Sequence, residues 1–215
     1  MSEPEGRRAR HEFRTLSSRE LYRGRIFALR SDEVVMPGGA KAKREVVEHF
    51  GAVAIAPLDE HNRLVLIHQY RHPLGRRIWE LPAGLLDVSG EPAIETAARE
   101  LAEETGLAAD EWCTLVDVAS SPGLTDEVVR VFLARGLSAV HRDMSIDDEE
   151  ADLVIRRFAV EDAVRMAFEG EIVNGATVAG VLATHALLTG VAKPRPADAP
   201  WRDRPHRFAE RRSAS

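Results

Sequence analysis

Arg99-Glu100-Leu101-Ala102-Glu103-Glu104-Thr105-Gly106-Leu107 places three carboxylates within five residues. Like charges this close on a helix repel one another, so the crowding needs a compensating partner. A divalent cation is the simplest one, because hard cations gather several oxygen ligands in a small volume. At about 100° per residue, Ile94, Ala97, Ala98 and Leu101 fall on one apolar stripe of a helix from Pro92 to Gly106. Glu100 and Glu104 stack four apart, and Glu103 lies beside them. The acidic ridge borders the stripe rather than opposing it. A helix docked by that stripe holds its carboxylates at the mouth of a cleft. Pro92 suits the first turn and Gly106 the C′ position.

A solvated Glu-rich face would explain the helix taken alone; the upstream residues tip the balance. Trp79-Glu80-Leu81-Pro82-Ala83-Gly84-Leu85-Leu86-Asp87 reads as a short strand running into a glycine turn. With Glu91 and the helix this makes a strand–loop–helix unit. Gly84, Glu91, Arg99-Glu100, Glu103-Glu104, Gly106 and Leu107 stand at near-fixed spacing. The pattern resembles the Nudix box, the signature of hydrolases that cleave nucleoside diphosphates linked to another group. One departure exists. The glutamate that the family places six residues after the box glycine is here Gly90, and Glu91 sits one further on. The loop therefore carries a one-residue insertion, and the metal-binding half of the pattern is intact.

The chain has 215 residues, enough for one good core and a small accessory element. Its 44% hydrophobic and 30% charged content is ordinary for a globular protein. No apolar run approaches the roughly 18 residues of a membrane span, and the first twenty residues hold no apolar segment of the secretory type. The single cysteine, Cys113, excludes an internal disulfide and a cysteine-based zinc site. Cytoplasmic residence is the resulting expectation, with no membrane partner. A net charge of −6 argues against nucleic acid as the partner. The segment Lys193–Ser215 runs the other way, with seven basic and three acidic residues.

Strand-like text from Glu20 to Val35, the turn Met36-Pro37-Gly38-Gly39, and Glu45 to His49 predict a small antiparallel sheet over residues 13–48. Gly51–Leu58 is a continuously apolar strand of the kind buried on both faces. Arg63 to Tyr70 alternates and is broken at His72-Pro73-Leu74-Gly75. Beyond the acidic helix come strands from about Trp112 to Ala119, from Glu127 to Ala134 and near Leu153–Phe158, then helices over Val160–Glu169 and Gly175–Thr189. The organisation expected is an N-terminal antiparallel sheet over 1–48, a hydrolase domain over 49–192, and a basic tail over 193–215 that is extended or disordered. Strands and helices in this order predict an α/β (α+β) sandwich with helices on both faces of a mixed sheet, which agrees with the α/β/α fold of the Nudix family.

The flanks sharpen the resemblance. Arg44-Glu45-Val46-Val47, Gln69-Tyr70-Arg71, Ser121-Pro122-Gly123 with Glu127, and the acidic Asp147-Asp148-Glu149-Glu150 together are similar to the ADP-ribose pyrophosphatase subfamily over residues 20–190. That resemblance implies magnesium, with manganese as an alternative, on Glu100 and Glu104, with Glu103 close by and the Ala83 carbonyl completing the site. It implies that Arg99 holds the carboxylates by ion pairing. Arg44, Glu45, Arg71, Gly123 and Glu127 would touch substrate, Glu127 at the terminal ribose. The catalytic base would lie outside the box, at Glu150 or Glu149, with Glu150 preferred. A homodimer that exchanges its N-terminal sheet is implied too, so Arg44 would serve the partner's site. The implied reaction is hydrolysis of ADP-ribose to AMP and ribose 5-phosphate. Other nucleotide sugars or dinucleotides stay open as substrates. So do a non-catalytic ADP-ribose sensor and an RNA-processing enzyme. The intact run of Arg99, Glu100, Glu103 and Glu104 speaks against the sensor, and 6% aromatic content speaks against the RNA enzyme.

Overall fold

The structure, a computed structural model, describes residues 12–142 and 153–213. Strand β4 (Ala52–Pro57) is buried along its whole length. Its alternation explains the layering, because successive side chains leave opposite faces of a sheet. Val53 and Ile55 join one core cluster with Ala97, Leu101, Leu107 and Phe132. Ala52, Ala54 and Ala56 join another with Val131, Leu133, Ala163 and Val181. The first cluster is capped by helix α1 (Ala93–Thr105), the second by α2 (Val160–Phe168) and α3 (Gly175–Leu188). Helices therefore cover both faces of the central sheet, as the sequence predicts.

That sheet has the order β11-β8-β9-β4-β7, with β7 at Ala83–Leu85, β8 at Leu107–Ala119, β9 at Val128–Ala139 and β11 at Arg195–Pro196. It is mixed: β4 runs parallel to β9 and antiparallel to β7. A second sheet joins β10 (Val154–Ala159), β5 (Arg63–Arg71) and β6 (Arg76–Glu80), and a third, N-terminal sheet joins β1 (Thr15–Arg23), β2 (Phe27–Val35) and β3 (Lys41–His49). Among the described residues no helix is long and apolar enough to cross a membrane.

Helix α1 ends as its sequence dictates. Gly106 adopts φ 67°, ψ 30°, and its N–H donates to the Ala102 carbonyl, a left-handed cap that glycine takes without a Cβ penalty. The docked face differs from the expected stripe in one position. Ala97 and Leu101 are fully buried and Ile94 packs beside them, but Ala98 is exposed, and Thr96 is buried in its stead. Ala93, not Ala98, completes the stripe. Burying a residue such as Leu101 contributes about 1.5–3 kcal/mol, so the docking is strong enough to hold the crowded carboxylates against their repulsion.

Several elements depart from expectation: the run Glu20–Val35 is divided between β1 and β2, and β9 continues past Ala134 to Ala139. Strand β8 begins at Leu107, immediately after Gly106, not near Trp112, because Leu107–Ala109 pair with Leu137–Ala139 of β9. The C-terminal segment is extended but anchored. Arg130, with its side chain 4% exposed, donates to the carbonyls of Ala199 and Pro200 and lies 4.6 Å from the Trp201 ring centroid. Helix α4 (Arg207–Ser213) inserts Phe208 against Phe50 and Ala28. Arg211 then meets Glu48, which is fully buried, at 3.2 Å.

Candidate active site

Docking α1 by its apolar stripe carries the acidic ridge onto β7. Ala54 faces Ala83, and the flanking ladder bond runs from the Ile55 N–H to the Pro82 carbonyl. Alternation in an antiparallel pair therefore turns both the N–H and the C=O of Ala83 away from β4. The N–H donates to Glu104 Oε2 at 2.9 Å. Glu104 is 5% exposed, so this bond holds it where it could not stay unpaired cheaply. Glu100 lies against the next residue. A Cβ on Gly84 would collide with Glu100 Cγ, Cδ and Oε1, so only glycine lets the carboxylate rest on the strand. The box glycine is thus a space requirement set by the metal-ligand candidate itself.

Arg99 organises the ridge. Its Nη1 donates to Glu100 Oε1 at 2.8 Å and to Glu103 Oε2 at 2.9 Å, and its Nε and Nη2 reach the two Glu91 oxygens at 3.3 Å. One guanidinium offers five donors in a rigid fork, which matches this set. Glu91 also accepts from the Thr96 hydroxyl at 2.7 Å. Hydrogen bonds from Arg99 first and Thr96 second hold the Glu91 carboxyl below its usual range. The Glu91 bond, helped by the charges of Glu100 and Glu103, raises Arg99 against the opposing effect of burial. The inserted Gly90, at φ 80°, does not prevent Glu91 from reaching its partners.

Among the described residues no three acidic, imidazole or thiol side chains converge on one point as a ready metal set. Glu100 and Glu103 turn toward Arg99, whose single charge offsets part of theirs, and Glu104 turns toward Ala83. The donor chemistry still fits a hard cation. Glu100, Glu104 and the Ala83 carbonyl are oxygen donors gathered along one strand edge, and magnesium needs few protein ligands because it retains waters.

A cavity of about 750 Å³ opens beside this edge, within the range of small-molecule sites. Ala83 and Gly84 line it together with Arg71, Glu80, Glu127 and Asn174. Arg71 enters with Nε donating to Glu80 Oε2 at 2.8 Å. Glu127 lies 3.4 Å from His49 Nδ1. The structure thus brings Ala83, Arg71 and Glu127 to one cavity; Glu104 and Glu100 rest on two of its lining residues, Ala83 and Gly84, and Arg99 ties Glu100 to Glu103. It does not bring Arg44, Glu45 or Gly123 there. Arg44 and Glu45 are exposed on β3, Arg44 donating to the Lys43 carbonyl, and Gly123 is exposed in the loop after β8. Glu149 and Glu150 lie outside the described residues. Four cavity residues carried no usable sequence signal: Glu80, His49, Asn174 and Thr177 become neighbours only through the tertiary fold.

Comparison with known proteins gives a family. The model described as NUDIX domain matches residues 48–178, and the one described as nucleoside diphosphate sugar hydrolase N-terminal domain matches residues 13–47. An ADP-ribose pyrophosphatase of Mycobacterium tuberculosis (strain ATCC 25618 / H37Rv) is 55% identical over 205 residues, covering 95% of this chain and 99% of that protein. A methanol dehydrogenase activator of Bacillus methanolicus is 36% identical over 171 residues, 79% of this chain and 91% of that protein. In three dimensions the chain is similar to the crystal structure of an ADP compounds hydrolase, with a TM-score of 0.75 over 86% of this chain and 98% of that one. At 20% identity that likeness concerns the fold.

Proposed function

Because the chain belongs to the Nudix hydrolase family, we propose that it hydrolyses the pyrophosphate of ADP-ribose to AMP and ribose 5-phosphate with the help of a divalent cation, magnesium by preference. The observation that carries this reading is the docking of Glu100 and Glu104 onto Gly84 and Ala83 beside the large cavity. The 55% identical relative bears the name ADP-ribose pyrophosphatase, which supports the choice of substrate.

A pyrophosphate diester is doubly negative and resists attack by water. Held by Glu100, Glu104 and the Ala83 carbonyl, magnesium would neutralise that charge and activate a water. The protein does the rest. Arg71 binds the pyrophosphate through its terminal nitrogens, since its Nε is occupied by Glu80. Glu127 accepts from the hydroxyls of the terminal ribose. Arg99 keeps Glu100 and Glu103 in register, so the ligands are placed before substrate arrives. Glu150, or its neighbour Glu149, takes the proton from the attacking water as general base.

The homodimer with exchanged N-terminal sheets belongs to this reading, with Arg44 and Glu45 serving the partner's cavity and Gly123 shaping its rim. It is supported by the exposure of β1 throughout and by Phe13, Leu21, Tyr22 and Ile26, all more than 40% exposed. Solvated apolar residues this close together are characteristic of a protein interface. Residues 1–48 would then be the dimerisation unit, 49–192 the hydrolase and 193–215 a docked tail. Cytoplasmic residence goes with the lone, half-buried Cys113.

A panel of ADP-ribose, ADP-glucose, GDP-mannose, NADH, diadenosine polyphosphates and CoA, assayed with Mg²⁺, Mn²⁺ and EDTA, tests the reading. ADP-ribose should be cleaved best, to AMP, and EDTA should abolish turnover. Preference for another compound under the same metal dependence would keep the chemistry and overturn the substrate. Binding of ADP-ribose without turnover would favour a sensor.

A further inference from the structure

Glu80 is 2% exposed, although it lines the cavity, and an ionised carboxylate so buried must be paired to remain there. It has two partners on opposite oxygens. Arg71 Nε donates to Oε2 at 2.8 Å, and Asn174 Nδ2 donates to Oε1 at 2.7 Å. Asn174 is the N-cap of α3, and its Oδ1 accepts from the Thr177 N–H at 2.9 Å. A backbone N–H can only donate, so Oδ1 must face Thr177 and Nδ2 must face Glu80. The Thr177 hydroxyl, 3.0 Å from Asn174 Oδ1, also accepts from the Leu81 N–H at 3.0 Å. Thr177 is itself 1% exposed. Helix α3 is therefore bonded to the strand end that carries Glu80 through its backbone and its side chain at once.

We propose that Asn174 is a positioning residue for the hydrolytic reaction, fixing Glu80 so that Glu80 in turn fixes the guanidinium that grips the substrate's pyrophosphate. The inference rests on the proposed function for the identity of the substrate, and on the structure alone for the chain of contacts. Arg71 is 42% exposed and would otherwise sample several rotamers. Ordering a long side chain opposes binding, and Glu80 removes that cost in advance. Glu80 can do so only while its second oxygen is held, because a carboxylate free at one end can rotate out of line with Nε. A residue on the third helix, far in sequence from the box, thereby bears on substrate affinity without touching substrate.

Serine separates this role from helix capping, since it is as good an N-cap as asparagine but cannot reach Glu80 with a donor. Asn174→Ser keeps the helix cap, so the melting temperature should fall by a few degrees at most, the cost of leaving one oxygen of the buried Glu80 without its donor. The variant should raise KM for ADP-ribose about two- to tenfold, the cost of ordering one long side chain on binding, with kcat within about twofold. Asn174→Asp keeps the cap too, sets a like charge against Glu80, and should raise KM further. The second measurement needs no turnover: the ¹⁵N–¹H resonance of Arg71 Nε should shift and its hydrogen should exchange faster in both variants. An unchanged KM together with an unchanged Arg71 resonance would overturn the proposal, as would a fall in kcat at constant KM. Absence of ADP-ribose hydrolysis in the unmodified protein would sink the substrate reading instead, and the Arg71 resonance would still decide whether Asn174 positions the guanidinium.

Discussion

Replacing Gly84 by alanine adds one methyl group at the place where α1 touches β7. The backbone accepts it, since Gly84 lies outside the left-handed region. The side chain of Glu100 does not, because the new Cβ would overlap Cγ, Cδ and Oε1, and real Cβ atoms essentially never approach a neighbour within 3.0 Å. Glu100 cannot simply lean aside, being tied to Arg99 Nη1 at 2.8 Å, which is also bonded to Glu103. The carboxylate must retreat by about 1 Å, and a misplacement of that size at a reacting centre costs about a hundredfold. Gly84→Ala should therefore lower kcat/KM for ADP-ribose about a hundredfold and weaken Mg²⁺ activation, measured as the half-saturating metal concentration. The fold should survive, with a cost of about 1–3 kcal/mol for overpacking, followed by circular dichroism during heating. An alanine variant with unchanged kcat/KM and unchanged metal dependence would refute the claim that Glu100 acts from its seat on Gly84.

Arg99→Lys keeps a positive charge but loses the fork that reaches three carboxylates; kcat/KM should fall at least about tenfold while the melting curve moves little. Phe208→Ala removes a fully buried ring that packs against Phe50, so the melting temperature should drop by about 6–12 °C for a loss of about 3 kcal/mol, and a smaller shift than a surface substitution gives would mean that the tail is not docked. Asp117 supplies a pH test. Burial pushes its carboxyl up, but hydrogen bonds from Arg130 and Arg195 outweigh this and hold it below the usual range. Its contribution to stability is therefore complete above the unfolded value of about 3.9 and is lost as pH falls through the lower folded value. Melting scans between about pH 2 and 5 should show a steeper acid decline in the unmodified protein than in Asp117→Asn.

The acidic ridge proposed to bind the metal was legible in the sequence because its neighbours are local. Glu100, Glu103, Glu104, Arg99 and Gly106 share one helix, and the 3.6-residue period states which of them are neighbours. Strand β4 announced its double burial by an unbroken apolar run. What the sequence hid depends on contacts distant in the chain. Nothing near Pro200 says that Arg130 will donate to its carbonyl, and nothing near Phe208 names Phe50 as its partner. Composition alone makes such a tail look unstructured. Ala98 was misplaced because a stripe drawn on an ideal wheel ignores where the sheet lies; the helix rolled so that Thr96 went inward to bond Glu91. The early start of β8 carried no alternation of its own and is imposed by its pairing with β9. Glu80 and Asn174 are 94 residues apart, a pairing no local pattern reports.

The account stands most directly on Glu104, which the structure seats on the Ala83 N–H beside the large cavity. The decisive measurement is steady-state hydrolysis of ADP-ribose by the unmodified protein and by Glu104→Gln across a Mg²⁺ titration. The account predicts AMP formation that EDTA abolishes, and a variant that stays folded but loses at least about a hundredfold in kcat. A Glu104→Gln protein that matches the unmodified enzyme at every metal concentration would contradict it.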